Sequence, residues 1–203
     1  MIAILTGDII NSAVQLNSSW MHPLKAFFNE HGSTPAIWEI YRGDEFQLKV
    51  HPSEALKVAF QIKAIIRSNP ELDVRIGIGI GEESHKAERI SESNGTAYQR
   101  SGRTFGLLKK KKSTLMLSTG KSEFDDTWNL ILALALNFMD HWSPVSAEIT
   151  ALSLAHPNRS QMAFARQLDI KQSAISQRRK RARWKLVKSI LSHYEKQILN
   201  LIE

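Results

Sequence analysis

The sequence predicts an α+β protein in which a mixed domain, residues 1–122, precedes an all-helical domain, residues 123–203. Three observations predict this division. Short apolar runs alternate with helical patterns as far as about residue 118, and only helical patterns follow. The positive charge is concentrated at the carboxyl end. Residues 156–203 hold eleven Lys or Arg and three acids, a balance of +8, whereas the whole chain carries +7.

Six elements alternate in the first 81 residues. They are a strand at Met1–Thr6, a helix at Ser19–His31, strands at Ala36–Tyr41 and Phe46–Val50 joined by a turn, a helix at Ser53–Ser68 with Ser53 as N-cap, and a strand at Asp73–Gly81. The order strand, helix, strand, strand, helix, strand is that of a ferredoxin-like βαββαβ domain. In the last strand Gly77, Gly79 and Gly81 alternate with isoleucine, which predicts that another element packs closely against that face.

Four further elements continue the chain. Residues 84–103 predict a short helix, and Leu115–Ser118 predicts a strand after an exposed loop at Lys109–Lys112. Phe124–His141 predicts a strongly apolar helix that bridges the two domains. Ser143-Pro144 predicts the start of the next helix, with the serine as N-cap and the proline at the first helical position.

The segment Ser160–Ala182 predicts two short helices that cross at a tight turn. We expect Asp169 in the turn and Ile170 in the core beside it. The remaining core positions expected on the two helices are Phe164, Ala165, Leu168, Ala174 and Ile175. The pattern resembles the helix-turn-helix of bacterial regulators and of sigma-factor-like domains over about 23 residues. It departs at Asp169, where glycine is usual, at Lys171, where serine is usual, and at Arg179, where an apolar residue is common.

Double-stranded DNA is the partner that this resemblance implies. The polar side chains expected to face outward and contact base edges in the major groove are Gln172, Ser173, Ser176 and Gln177. The cationic side chains expected to contact phosphates are Arg178, Arg179, Lys180, Arg181 and Arg183. The alternative explanation of the same charge is a helical bundle with a solvated basic surface.

Two acidic positions in the first domain predict a cation site. Asp8 follows the first strand in TGDIINS, and Asp44 lies in the hairpin in YRGDEFQL. In a ferredoxin-like sheet the first strand neighbours this hairpin, so the two carboxylates are expected to meet at one edge. Together with the backbone carbonyl of Ile9, they suit Mg²⁺ as a cofactor. The alternative is that both are ordinary turn residues.

TGDIINS, YRGDEFQL and VRIGIGIG together resemble the catalytic core of class III nucleotide cyclases, with GGDEF diguanylate cyclases as more distant relatives. The resemblance covers about residues 1–105. It implies a nucleotide ligand, and the offsets from Gly95 imply that Gln99 orients a ribose and that Arg103 contacts phosphate. The sequence departs from the cyclases at Ile40, where they place an adenine-reading lysine, and at Gln99, where they place asparagine.

The same motifs, together with the C-terminal helix-turn-helix, resemble the SatD family over nearly the whole chain. The expected function is a DNA-binding transcriptional regulator that acts as a homodimer and whose cyclase-like domain binds metal and nucleotide. Two alternatives stay open at this point. One is a nucleotidyl cyclase-like enzyme tethered to DNA, and the other is a catalytically dead dimerisation scaffold.

Composition excludes several classes of protein. The chain has no cysteine, so it has neither disulfides nor cysteine metal sites. Its apolar stretch at Leu130–Phe138 is too short for a membrane span, which needs about 20 residues. The first residues lack the pattern of a secretory signal peptide. We therefore expect a cytoplasmic protein without a membrane partner.

Overall fold

The computed structural model describes residues 1–14 and 19–202, which form five strands and eight α-helices. The strands are β1 (Ile2–Ile10), β2 (Trp38–Tyr41), β3 (Glu45–Val50), β4 (Asp73–Gly81) and β5 (Leu115–Ser118). The helices are α1 (Met21–Asn29), α2 (Ala55–Arg67), α3 (Thr96–Lys111), α4 (Ser122–Met139), α5 (Pro144–Ala155), α6 (Gln161–Gln167), α7 (Gln172–Arg181) and α8 (Trp184–Ile202). The predicted α+β class is confirmed. Among the described residues, no helix combines the length and apolarity needed to cross a membrane.

The five strands form one mixed sheet in the order β2-β3-β1-β4-β5. Strand β1 lies in the centre and pairs antiparallel with both β3 and β4, and β2 pairs antiparallel with β3. Strand β5 is parallel to β4 and follows it through α3. This register places Asp8 of β1 between Glu45 of β3 and Arg75 of β4.

Helices cover both faces of the sheet. Leu5 of β1 and Ile78 of β4 join α2 in the main core, whereas Ile4 packs with Ala97 and Tyr98 of α3 on the opposite face. The glycines of β4 allow this second contact. A Cβ at Gly79 would lie 2.1 Å from the backbone nitrogen of Ser101, and one at Gly77 would lie 2.4 Å from that of Phe105. The predicted close packing against the glycine face is confirmed, and α3 is the packing element.

Several predicted local features differ in the structure. Ser53 lies in a short 3₁₀ helix, Pro52–Glu54, and α2 begins only at Ala55. Ser53 is therefore not the N-cap of α2. Lys109–Lys111 form the last turn of α3 rather than a loop, because this helix continues to a left-handed residue at Lys112 with φ 51°. Ser143 does hold the N-cap position of α5, but its hydroxyl donates to the Oγ of Ser146 instead of capping a backbone amide.

The hydrophobic core continues across the predicted boundary after residue 122. Trp128 and Leu132 of α4, and Val187 and Tyr194 of α8, belong to the same buried cluster as the sheet. The side chain of Asn129 also binds both backbone groups of Leu117 at 2.9 Å, so α4 occupies the otherwise free edge of β5. Pairing or covering an edge in this way removes a site for unwanted strand addition.

A buried lysine ties the helical part to the sheet. The Lys63 side chain of α2 is 2% exposed, and its ammonium lies 2.8 Å from Asp73 and 2.6 Å from Asp140, just after α4. A buried charge is tolerated only when it is paired in this manner. Two further bonds add to the connection: Gln61 donates to the carbonyl of Ala151 in α5 at 3.1 Å, and Tyr194 donates to that of Pro52 at 2.9 Å.

Candidate nucleic-acid interface

A small apolar cluster holds α5, α6 and α7 together. Ile149 of α5, Phe164 and Ala165 of α6, and Ile175 of α7 are all buried in it, as is expected from the helical spacing of these residues. Partly buried residues close its rim: Leu152, Leu168 and Ile170. Four of the core positions predicted on the two short helices therefore lie on their inner faces, namely Phe164, Ala165, Leu168 and Ile175. The fifth, Ala174, is half-buried and lies outside this cluster. The opposite face of α7 is consequently free to point outward.

The turn between α6 and α7 has a defined backbone pattern. Ser160 caps α6, since its hydroxyl accepts from the amide of Ala163 at 3.2 Å. Asp169 adopts the left-handed conformation with φ 50°, as predicted for the turn residue. The amide of Ile170 donates to the carbonyl of Ala165 at 3.0 Å, which satisfies a terminal carbonyl of α6. This turn directs α7 away from α6.

The four predicted reading side chains of α7 are exposed. They are Gln172, Ser173, Ser176 and Gln177. Gln172 also donates to the side-chain oxygen of Gln161 at 2.6 Å, which links the two helix starts. Three cationic side chains continue the same surface and are exposed as well: Lys180, Arg181 and Arg183. They line an open depression of about 550 Å³ together with Gln177. Polar and cationic groups thus form one continuous outer surface.

Arg178 and Arg179, which the sequence predicts as phosphate contacts, both have partners within the protein. Arg178 forms an ion pair with Glu148 of α5 at 3.0 Å. Arg179 donates to the hydroxyl of Ser153 at 2.9 and 3.1 Å, and its guanidinium lies 5.2 Å from the ring centre of Phe164. Burial lowers the pKa of Arg179 from its usual value. These two arginines fix α7 on α5.

Two cationic residues of the same surface escaped the sequence analysis. Lys185 and Lys188 of α8 are exposed, and they line a groove of about 690 Å³ with Ser176, Lys180 and Arg183. One feature of the sequence could have indicated them. The excess of basic residues covers the whole of 156–203 and so continues beyond Arg183, where the predicted DNA contacts end. Only the turn at Arg183, with φ 57°, brings the start of α8 beside the end of α7.

The acidic position at Asp8 has an internal partner. The Nε of Arg75 donates to one carboxylate oxygen of Asp8 at 2.8 Å, and a terminal nitrogen of the same guanidinium contacts the other oxygen. Both side chains are largely buried, with 15% of Asp8 and 19% of Arg75 exposed. A bidentate pair of this kind neutralises the carboxylate and occupies both of its oxygens.

Asp44 lies beside the end of β1, as the predicted sheet order requires. Its backbone carbonyl accepts from the amide of Ile9 at 3.2 Å, and its carboxylate accepts from the hydroxyl of Ser12 at 2.6 Å. The carboxylates of Asp8 and Asp44 therefore have different partners. Within residues 1–14 and 19–202, no group of three or more His, Cys, Asp or Glu side chains has an arrangement for holding a metal ion.

The arrangement does not fit Mg²⁺ as it stands, because the guanidinium of Arg75 would have to leave Asp8 first. Magnesium binding at Asp8, Ile9 and Asp44 stays a prediction. The same holds for nucleotide binding by Gln99 and Arg103. These two side chains are exposed and lie one turn apart on α3. In the part of the chain that the structure describes, neither forms a hydrogen bond or ion pair with Asp8 or Asp44.

No protein-family model matches the chain, and neither the curated proteins nor the solved structures contain a significant match to it.

Proposed function

We propose that this protein binds double-stranded DNA in a sequence-specific manner and regulates transcription, with α6 and α7 acting as a helix-turn-helix. The observation that carries the proposal is the outer surface of α7. Its first two turns expose Gln172, Ser173, Ser176 and Gln177 beside the cationic group Lys180, Arg181 and Arg183. Amide and hydroxyl groups next to arginines and lysines are what a major groove and its phosphates bind.

In this proposal the two groups have separate tasks. The amino-terminal half of α7 enters the major groove, where its polar side chains contact base edges. The cations at its end bind the phosphate backbone, which provides affinity without sequence preference. Arg178 and Arg179 are positioning residues, since they hold α7 against Glu148 and Ser153 of α5. Helix α5 in turn packs on α2 of the sheet domain.

For the first domain we propose a ferredoxin-like, cyclase-related fold and membership of the SatD family. The strand order β2-β3-β1-β4 with antiparallel neighbours supports the fold, because the βαββαβ pattern leads to this order. Among the functions that the sequence left open for this domain, the scaffold of a homodimeric regulator is favoured by the Arg75–Asp8 pair. Nucleotide sensing at Gln99 and Arg103 is the alternative function of this domain.

The test is a selection of genomic DNA fragments by the purified full-length protein. The wild type is expected to enrich a common sequence. The double variant Ser176→Ala/Gln177→Ala is expected to bind fragments but to lose most of that preference, because it removes base contacts and leaves the cations in place. The matched control is Asn29→Ala/Ser33→Ala, which removes one exposed amide and one exposed hydroxyl outside the helix-turn-helix.

Two outcomes would contradict the proposal. Wild-type protein that binds no DNA at moderate salt would reject DNA binding altogether. If the control loses as much sequence preference as the α7 variant, α7 is not the helix that contacts the bases. A parallel selection with a pool of nucleotides and Mg²⁺ tests only the sensing part, because an unchanged enrichment there leaves the DNA result intact.

A further inference from the structure

Helix α4 carries large apolar side chains on two sides, although only one side packs against the protein. Its inner side buries Trp128, Leu132 and Met139 in the main core. On the outer side Leu130 and Leu134 are each 63% exposed, the highest values among the large apolar side chains of the described chain. Leu130 and Leu134 lie one helical turn apart, and exposed apolar side chains that adjoin one another mark an interaction site. The outer side of α4 therefore lacks a partner in the single chain.

The outer side has the spacing of a coiled-coil seam. Six exposed residues follow one another at intervals of 4, 3, 4, 3 and 4 positions, the last just beyond the end of the helix: Glu123, Thr127, Leu130, Leu134, Asn137 and His141. Alternation of three and four residues keeps a stripe in line along two packed helices. Half-buried Phe124, Ile131 and Phe138 widen the stripe on one flank. The other flank carries the small Ala133 and the exposed Asp126.

The residues of this seam complement those of a second copy of α4 that runs in the opposite direction. If two copies of α4 pack antiparallel about Leu132, Leu130 faces Leu134 of the second copy. Thr127 then faces Asn137, so a hydroxyl meets an amide. Glu123 faces His141, so a carboxylate meets an imidazole ring that can donate a hydrogen bond to it. A parallel arrangement would instead place each Glu123 against another Glu123, and such like-charge contacts are unfavourable.

We propose that the outer side of α4 is the dimer interface of this protein, and that a second copy of the chain occupies it in antiparallel orientation. The interface is isologous, as a two-fold dimer requires. It also relates the two α7 helices by the same two-fold axis, which matches the symmetry of a paired DNA reader. The inference specifies the homodimer of the proposed function, but it rests on α4 alone and is tested without DNA.

The test measures the mass of the full-length protein in solution by sedimentation or light scattering. The wild type is expected to be a dimer. Leu130→Lys and Leu134→Glu are each expected to raise the dimer dissociation constant on the order of 100-fold, since each places two charges against apolar side chains. The control Leu107→Lys changes another exposed leucine, 44% exposed on α3, and is expected to leave the dimer unchanged.

Mixing variants tests the orientation. Leu130→Lys mixed with Leu134→Glu is expected to form heterodimers, because antiparallel packing pairs the lysine of one chain with the glutamate of the other. Leu130→Lys mixed with Leu130→Glu is expected to stay monomeric, because each new charge then faces Leu134. The three substituted positions, Leu107, Leu130 and Leu134, are all exposed. Circular dichroism and melting temperature establish that each variant is folded.

Three results would overturn the proposal. A wild type that is monomeric at high micromolar concentration would reject the interface. A dimer that survives both Leu130→Lys and Leu134→Glu would place the contact elsewhere. Heterodimers from the two Leu130 variants, without heterodimers from the first mixture, would reject the antiparallel register. None of these results bears on whether a single chain binds DNA, so the DNA proposal would stand or fall separately.

Discussion

The outer surface of α7 and the acidic edge of the sheet were both predicted as functional sites, but they differ in where their polar groups find partners. On α7 the side chains of Ser173, Ser176 and Gln177 extend from a helix whose apolar side is already buried. At the sheet edge, Arg75 holds the carboxylate of Asp8 from within the same chain. The exposed polar groups of α7 are therefore available to a second molecule. The carboxylate of Asp8, which is already paired, contributes instead to the protein's own stability.

The same contrast divides the run of cations in and after α7. Arg178 and Arg179 bind Glu148 and Ser153, whereas Lys180 and Arg181 are exposed beside the reading residues. Adjacent residues of a helix point about 100° apart, so neighbours in a charge run face different surroundings. A cluster of arginines in a sequence therefore contains both structural and binding members.

The largest expected effect comes from removing the exposed cations. Lys180→Gln/Arg181→Gln/Arg183→Gln is expected to lower DNA affinity on the order of 100-fold near physiological salt, and to reduce the slope of log K against log salt by about 2.7. The melting temperature should stay nearly constant, because these side chains are exposed. Fluorescence anisotropy over a salt series measures both DNA quantities.

The matched control for this prediction is Lys110→Gln/Lys111→Gln/Lys112→Gln. It removes the same charge at the end of α3, and Lys112 has a left-handed backbone as Arg183 does. If the control weakens DNA binding as much as the α7 variant, total charge rather than the α7 surface determines affinity. That result would mean that the surface of α7 is no more specialised for binding DNA than the end of α3.

A smaller effect, on stability instead of binding, is expected at the sheet edge. Arg75→Gln leaves the largely buried carboxylate of Asp8 without its cation and should lower the free energy of unfolding by about 1–3 kcal/mol. DNA affinity at a temperature where the variant is folded should be unchanged. Chemical denaturation and anisotropy on the same preparation measure the two quantities.

The effect of Mg²⁺ on the melting temperature of Arg75→Gln tests whether Arg75 and a cation compete for Asp8. If Arg75 occupies Asp8 in place of a metal, millimolar Mg²⁺ should raise the melting temperature of the variant more than that of the wild type. Equal stabilisation of both proteins, absent in Asp8→Asn, would mean that Arg75 does not compete with the cation. The metal site predicted from the sequence would then be favoured.

The smallest expected effect is a dependence of stability on pH. Burial lowers the pKa of His31, and its Nε2 is buried with no hydrogen-bond partner among the described residues. The unfolded chain therefore binds this proton more readily than the folded protein. The free energy of unfolding should therefore be highest above the ordinary histidine pKa of about 6.5 and should decrease as pH falls below that value. Denaturation at a series of pH values from about 7.5 to about 5.5, the range in which histidine titrates, measures this decrease.

His31→Gln should remove part of the decrease, whereas the exposed control His22→Gln should retain it. Identical pH profiles for the two variants would show that His31 is not its source. Helix α7 contains no histidine, aspartate or glutamate. The pH experiment therefore concerns His31 in the first domain and not the surface of α7.

Elements with strong local signals were predictable from the sequence. Strands β4 and β5 have the predicted bounds, and the turn at Asp169 adopts the predicted left-handed backbone. Boundaries that depend on a neighbouring element were not predictable. Helix α3 continues through the lysine run because Ala97 and Ser101 anchor it on the glycine strand, and polar residues at its end give no signal of that packing.

For the two candidate sites, the sequence by itself determined which residues carry the polar and charged groups, because residue type and helical or strand spacing are local properties. It also determined that α7 has an apolar inner side and a polar outer side. Only the tertiary structure decided which of those groups are already bound. Arg75 lies 67 positions from Asp8, and Glu148 lies 30 positions from Arg178. The reason is physical: a charge is neutralised by the nearest opposite charge in space, and the fold sets that distance.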